Sequence, residues 1–284
     1  LQGGATVGNE LVIAGPISVA AGVQFTVRSG LVIMSGGGDM AGATLNLQQG
    51  TIYAGVNQGL PANLKLDMGS AAAGILDLNG FNQTLSALTK NTNAATVTNS
   101  APGGITSTLS VDSTLGTSNF AGVLSDGSSS KLAFTKIGDG VFTLSGANTH
   151  TGATTVTSGT LELRGAGSVI SSGSTITIAS AATLLVSNAN AATTLAAPLA
   201  GTGTVRLDNN ISGTAGAQGA TLTGNNVGFT GTLLIQPSGT YAANGTMRLS
   251  SSTPSQLGGA TVVVKDRGQA YLTTATFANN FVLS

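Results

Sequence analysis

Apolar and polar residues alternate along this chain in short bursts. Examples are Phe25-Thr-Val27, Thr44-Leu-Asn-Leu47, Leu64-Lys-Leu66, Ile75-Leu-Asp-Leu78 and Thr160-Leu-Glu-Leu-Arg164. Further along come Thr175-Ile-Thr-Ile178, Thr204-Val-Arg-Leu207, Thr232-Leu-Leu-Ile235 and Thr261-Val-Val-Val264. A period of two places alternate side chains on opposite faces of an extended strand. The bursts are bounded by Gly, Asn, Ser or Pro, which break regular structure and mark strand ends. No window keeps apolar spacings of three and four over three helical turns. The Ala-rich stretch from Ile178 to Ala200 comes nearest, but Thr, Ser, Asn and Pro198 interrupt it. The pattern predicts an all-β protein.

Repetition narrows the class. The stretch 136–163, KIGDGVFTLSGANTHTGATTVTSGTLEL, is followed by a looser copy over 221–240, TLTGNNVGFTGTLLIQPSGT. Leu144-Ser-Gly-Ala-Asn148 aligns with Leu222-Thr-Gly-Asn-Asn226, Thr151-Gly152 with Thr230-Gly231, and Ser158-Gly159-Thr160 with Ser238-Gly239-Thr240. A unit this small buries too few aliphatic side chains to offset the entropy of ordering it. It becomes stable when neighbouring units cover it, which is the logic of a solenoid. A single-stranded parallel β-helix of about 20 residues per turn would give roughly 14 coils, running as one continuous segment over 1–284. An antiparallel sandwich or barrel is the alternative, because Asn79-Gly80, Asp126-Gly127, Asp139-Gly140 and Asn244-Gly245 are hairpin-type dipeptides.

Composition favours the β-helix. Aromatic residues make up only 4% of the chain while apolar residues reach 41%, so the core must be built from aliphatics rather than the aromatics usual in sandwiches. Ten basic and ten acidic side chains cancel, and Arg28, Lys65, Lys90 and Lys131 stand far apart. Without a basic patch to neutralise phosphates, nucleic acid is not an expected partner. There is no cysteine, which fits two settings: a cytosolic protein that lacks it by chance, or an exported protein that avoids crosslinking in transit. The first and last residues both read as mid-pattern, so the chain is expected to be a segment of a longer one or a processed product.

Lys136-x-Gly138-x-Gly140, Leu144-Ser145-Gly146-x-Asn148, Thr151-Gly152-x-Thr154-x-Val156 and Gly159-Thr160-Leu161 together resemble the autotransporter-associated β-strand repeat of Gram-negative exported proteins. Ile75-Leu-Asp-Leu-Asn-Gly-Phe-Asn-Gln-Thr-Leu85 resembles another phrase of the same proteins. The resemblance implies a right-handed parallel β-helix forming part of a passenger region, outside the cell or on its surface. Membrane attachment would come only through a barrel or anchor absent from this chain. Read as chemistry, Gly138, Gly140, Gly152 and Gly159 would permit corners with φ > 0. Val141, Leu144, Val156, Leu161 and Leu163 would fill the core, and Asn148 would bond turn backbone groups. With Gly146, these are scaffold positions.

Candidate chemistry is sparse. His150 is the only histidine, and its Asn-Thr-His-Thr setting reads as a solvated turn. No nucleophile-elbow sequence surrounds a serine, His and Cys cannot supply a zinc set, and Asp39, Asp126 and Asp139 lack a calcium-repeat period. No metal or cofactor is expected. Asp67 and Asp77 are half a coil apart and are expected on different faces, which argues against a paired-carboxylate glycan-cleaving site. Lys131 and Lys136 are near each other, but Lys136 belongs to the repeat. Gly201-x-Gly203 lacks the strand–turn–helix setting of a dinucleotide loop. Tyr53, Tyr241 and Tyr271 are the only tyrosines for a sugar platform. The pairs Thr155/Thr157, Thr175/Thr177 and Thr221/Thr223 are similar to the threonine arrays of ice-binding β-solenoids, but their spacing is irregular. The expected function is a non-enzymatic structural or adhesive segment, with a host or neighbouring-cell surface ligand. The alternatives are a subunit of an extracellular filament or matrix that self-associates end to end or laterally, and a glycan-degrading enzyme.

Overall fold

A computed structural model describes residues 10–90, 94–114, 117–165, 170–187, 193–208, 217–236, 246–251, 256–266, 268–272 and 277–284. Among them there is no α-helix, and every strand pairing given by register is parallel. The chain is a β-solenoid of about 10 turns, divided into two compact units. Fewer turns than the expected 14 follow from longer coils. Leu31 pairs with Thr51, which matches the expected length, but Thr204 pairs with Thr232 and Thr232 with Thr261. The extra residues lie between strands, as in the exposed 102–105 corner, where Gly103 and Gly104 both have positive φ.

The first unit comprises Leu1–Phe142 and Asn148–Gly152. Its chain visits three sheets in rotation. One stacks Glu10–Ile13, Leu31–Met34, Gly50–Ala54, Gly74–Asp77, Ala95–Thr98 and Val123–Leu124. The second stacks Gln24–Val27, Thr44–Leu47, Lys65–Met68 and Ala87–Lys90. Ile17–Ser18 and Gly38–Asp39 form a separate two-stranded sheet, and the third sheet runs through Gln83–Leu85, Thr106–Asp112 and Lys131–Ile137. In-register pairing turns the period-two pattern into columns. Val32, Ile52, Leu76, Val97 and Leu124 lie one above another, and all are buried.

The second unit comprises Thr143–Ala147 and Ala153–Ser284. Its longest sheet stacks Gly159–Arg164, Ala182–Ser187, Thr204–Asp208, Thr232–Ile235, Thr261–Val264 and Phe281–Leu283. Inward runs the column Leu161–Leu184–Val205–Leu233–Val262; outward runs Thr160–Thr183–Thr204–Thr232–Thr261. The five threonines are half-exposed, and β-branched side chains suit a pleated surface. The hairpin alternative fails at its own signal in the first unit. Asn79 and Gly80 take φ values of 47° and 89° and turn a coil corner rather than join antiparallel strands.

Candidate functional site

The residues of the repeat 136–163 divide between the two units. In the first unit Lys136 follows Leu85 and Val111 in an inward column and is fully buried. Its Nζ donates to Ile137 O at 2.9 Å and to Gly138 O at 2.6 Å, so the ammonium ties down the corner that follows its strand. Burial pushes its pKa down to about 8, against the pull of the Asp112 and Asp139 carboxylates. Gly138 has a φ of +76°, and a Cβ there would meet Asp112 Oδ1 at 2.2 Å.

Gly152 departs from its expected role. It is not among the residues with positive φ, but a Cβ would lie 2.3 Å from Leu132 O. It is needed for close approach of two backbones rather than for a left-handed corner. Gly140 and Gly146 lie in half-exposed bends and also lack positive φ. Val141 is a second correction. It is only half-buried, while Phe142 is fully buried and its ring centroid lies 5.5 Å from that of Phe134. Val141 and Leu144 are an odd number of positions apart, so one strand cannot present both to the same side.

The corner at 148–150 is tied to the preceding coil by side-chain and backbone bonds. Asn148 Oδ1 accepts from Leu124 N at 3.0 Å, while Thr149 N and His150 N donate to Leu124 O at 2.9 and 3.1 Å. His150 is 0% exposed, which overturns its reading as a solvated turn residue. Burial lowers its pKa to about 4, against the attraction of Asp126 and the Leu124 backbone contact. Asp126 is a hub that sequence reasoning took for a turn dipeptide. Its Oδ1 accepts from Leu132 N at 2.8 Å and its Oδ2 from Thr151 N at 3.0 Å and Thr151 Oγ1 at 2.6 Å. Asn99, also missed, is buried, donates to Ile105 O and Lys131 O, and accepts from Gly80 N. We expect Asn148→Ala to cost about 1–3 kcal/mol, the cost of leaving one buried amide unpaired. Urea midpoints would show this, and an unchanged midpoint would refute the assigned bond.

In the second unit Leu144, Val156 and Leu161 are buried, and Gly159 takes a φ of +63°. Glu162 is buried on the outward side of its strand. It accepts from Thr143 Oγ1 at 2.8 Å, Ser187 Oγ at 2.5 Å, and Arg164 Nε and Nη2 at 3.0 and 2.7 Å. Burial pushes its pKa up, but the Arg164, Ser187 and Thr143 hydrogen bonds more than offset this and hold it below the usual value. Asn226, the counterpart of Asn148 in the looser copy, accepts from Leu199 N at 2.7 Å and donates to Gln256 O at 2.6 Å. The end of that copy, 237–240, lies outside the described residues, as do Tyr241, Asn244 and Gly245.

Residues 134–163 match the family model of the passenger-associated-transport repeat. This stretch is an autotransporter passenger repeat. No curated protein and no solved structure matches the chain. The passenger repeat's own residues account for its motif in physical terms: Lys136 and Gly138 make one corner, Asn148 braces another, and Gly152 lets backbones touch.

Candidate chemistry is dispersed. Asp67 and Asp77 lie in different sheets. Among the described residues no three His, Cys, Asp or Glu side chains cluster as metal ligands. Thr155 pairs with Thr177, and the next residue in that column is Ala200, so those threonine pairs build no array.

Proposed function

We propose that this chain is a non-enzymatic structural and adhesive segment of an exported autotransporter-like protein, held outside the cell or at its surface as part of a longer passenger. The observation that carries the reading is where the repeat's polar groups go. The Lys136 ammonium, the Asn148 amide and the Asp126 carboxylate all bind main-chain groups of the solenoid itself. The product of such a repeat is a stiff presenting surface, and its partner is a host or neighbouring-cell surface ligand. Beads coated with the purified chain are expected to be retained on cell layers, and a panel of uronate-rich and neutral polysaccharides is expected to show no cleavage. Turnover of any panel member would overturn the reading. Beads that clump with one another while ignoring cells would move it to the filament or matrix alternative.

A further inference from the structure

A glycine directly follows an asparagine or aspartate at Asn79-Gly80, Asp126-Gly127, Asp139-Gly140 and Asn244-Gly245. Such pairs are chemically reactive. Glycine has no side chain to shield its nitrogen and turns its backbone freely, so its amide can attack the preceding side-chain carbonyl and close a five-membered ring. Folding decides which pairs do so. Ring closure needs an accessible carbonyl carbon, an unengaged amide and a backbone able to rotate. The first three pairs lie among the described residues.

Asn79-Gly80 is held at each of these points. The Gly80 amide donates to Asn99 Oδ1 at 2.8 Å, and Asn99 is itself fully buried. Asn79 N donates to Asp77 Oδ1 at 2.9 Å, the Asn79 side-chain amide donates to Ala54 O at 3.4 Å, and Phe81 N donates to Leu78 O at 2.8 Å. Asp126-Gly127 is held as firmly. The Asp126 carboxylate accepts from Leu132 N, Thr151 N and Thr151 Oγ1, and the Gly127 amide donates to Ser130 O at 3.0 Å.

Asp139-Gly140 differs in every respect. Asp139 is exposed and Gly140 half-exposed, in the bend between the strands Lys131–Ile137 and Val141–Leu144. Among the described residues no hydrogen bond engages the Asp139 carboxyl or the Gly140 amide. The anchors stand on either side of the pair: the Lys136 ammonium on Gly138 O before it, and the strand that starts at Val141 after it. Exposed backbone without such bonds opens locally at little cost.

We propose that Asp139-Gly140 is a site of spontaneous covalent modification, where aspartate converts to isoaspartate through a succinimide. The Gly140 nitrogen bonds to Asp139 Cγ, and the carboxyl hydroxyl leaves as water with the amide proton. Water then opens the ring. Attack at Cγ restores aspartate, while attack at the Asp139 main-chain carbonyl leaves Gly140 linked through Cγ, which is isoaspartate. One water is lost and one regained, so the mass is unchanged. The product lengthens the main chain by one carbon just before Val141–Leu144, the strand whose Phe142 ring packs 5.5 Å from that of Phe134. The site rests on this corner and not on the adhesive reading above.

The test is ageing of the full chain in neutral buffer, with and without urea. Tryptic digestion is followed by labelling with protein isoaspartyl methyltransferase and a labelled methyl donor. Cleavage after Lys65, Lys90, Lys131, Lys136 and Arg164 puts Asn79, Asp126 and Asp139 on separate peptides. In the folded chain, label is expected to accumulate on the peptide 137–164 and to stay at the level of the fresh sample on 66–90. In urea the order is expected to reverse, because an asparagine amide closes the ring faster than an ionised carboxylate once Gly80 is released. Asp139→Glu, an exposed change whose longer side chain cannot close the five-membered ring, is expected to stay folded by circular dichroism and to lose the label on 137–164. The proposal fails if 137–164 stays unlabelled in the folded chain, if 66–90 is labelled as fast in the folded chain as in urea, or if Asp139→Glu keeps the label. The last result would place the modified residue elsewhere in that peptide.

Discussion

Leu184→Asp is expected to unfold the second unit, while Thr183→Asp, one residue earlier, leaves it folded. Leu184 is fully buried, with Leu161 on one side of it in the column and Val205 on the other. Aspartate there would lose the apolar contacts to both neighbours and place a carboxylate where no donor faces it. Whether it ionises or takes up a proton, the cost lies in the range of about 4–5 kcal/mol or more that marks buried-charge substitutions. Stability of a domain is only about 5–15 kcal/mol, so such a loss empties most of it. Thr183 points the other way, half-exposed between Thr160 and Thr204, and surface substitutions of this kind fall within about 0.5 kcal/mol. Urea unfolding followed by far-ultraviolet circular dichroism separates the two. Similar midpoints for both variants would mean that the strand does not present alternate residues to core and solvent.

The same alternation explains how much of the fold was legible. Six of the strands read from sequence open on threonine, and parallel pairing places four of these, Thr160, Thr204, Thr232 and Thr261, with Thr183, in one column. A period-two burst carries its facing within itself, so strand identity and core side need no tertiary information. Val141 shows the limit of residue-type reasoning: apolar character nominated it, and parity with Leu144 excludes it in favour of Phe142. Coil length was not legible, because residues inserted at corners leave the strand pattern intact while lengthening the turn.

The polar positions divide along the same line. Asn148 could be read as a side chain that bonds backbone, but its partner Leu124 lies a coil earlier rather than in its own turn, and its counterpart Asn226 accepts from Leu199 in the same manner. Gly138 and Gly152 look alike in sequence, but one is required for its φ and the other for its neighbour's carbonyl. Only the position of Leu132, a full coil earlier, distinguishes them. Asp126, Glu162 and Lys136 were missed as polar centres for the same reason. Their partners Thr151, Ser187 and the corner carbonyls are brought in by stacking or by the local turn, neither of which the residue type announces.

His150 makes the first unit acid-sensitive above the range in which carboxylates titrate. Its folded pKa is about 4 against an ordinary value of 6.5, with burial as the main cause and the Asp126 charge opposing it. The sign follows from proton counting. As pH falls through 6.5 the unfolded chain takes up a proton that the folded chain refuses until about 4. Stability therefore declines with falling pH across that window and stops declining, as far as this group is concerned, below it. At about 1.4 kcal/mol per pH unit the integrated loss is about 3 kcal/mol. Glu162, whose folded pKa lies below its ordinary 4.5, acts in the second unit and only at lower pH, so the two groups are separable. Because the chain has a single histidine, one imidazole proton resonance reports the site directly, and its titration midpoint is expected near 4. His150→Gln, which cannot titrate, is expected to flatten the pH dependence of the urea midpoint between 6.5 and 4. A midpoint near 6.5 in the resonance, or an unchanged slope in the variant, would show that the corner over Leu124 is open to water and that the coil after it does not close as described.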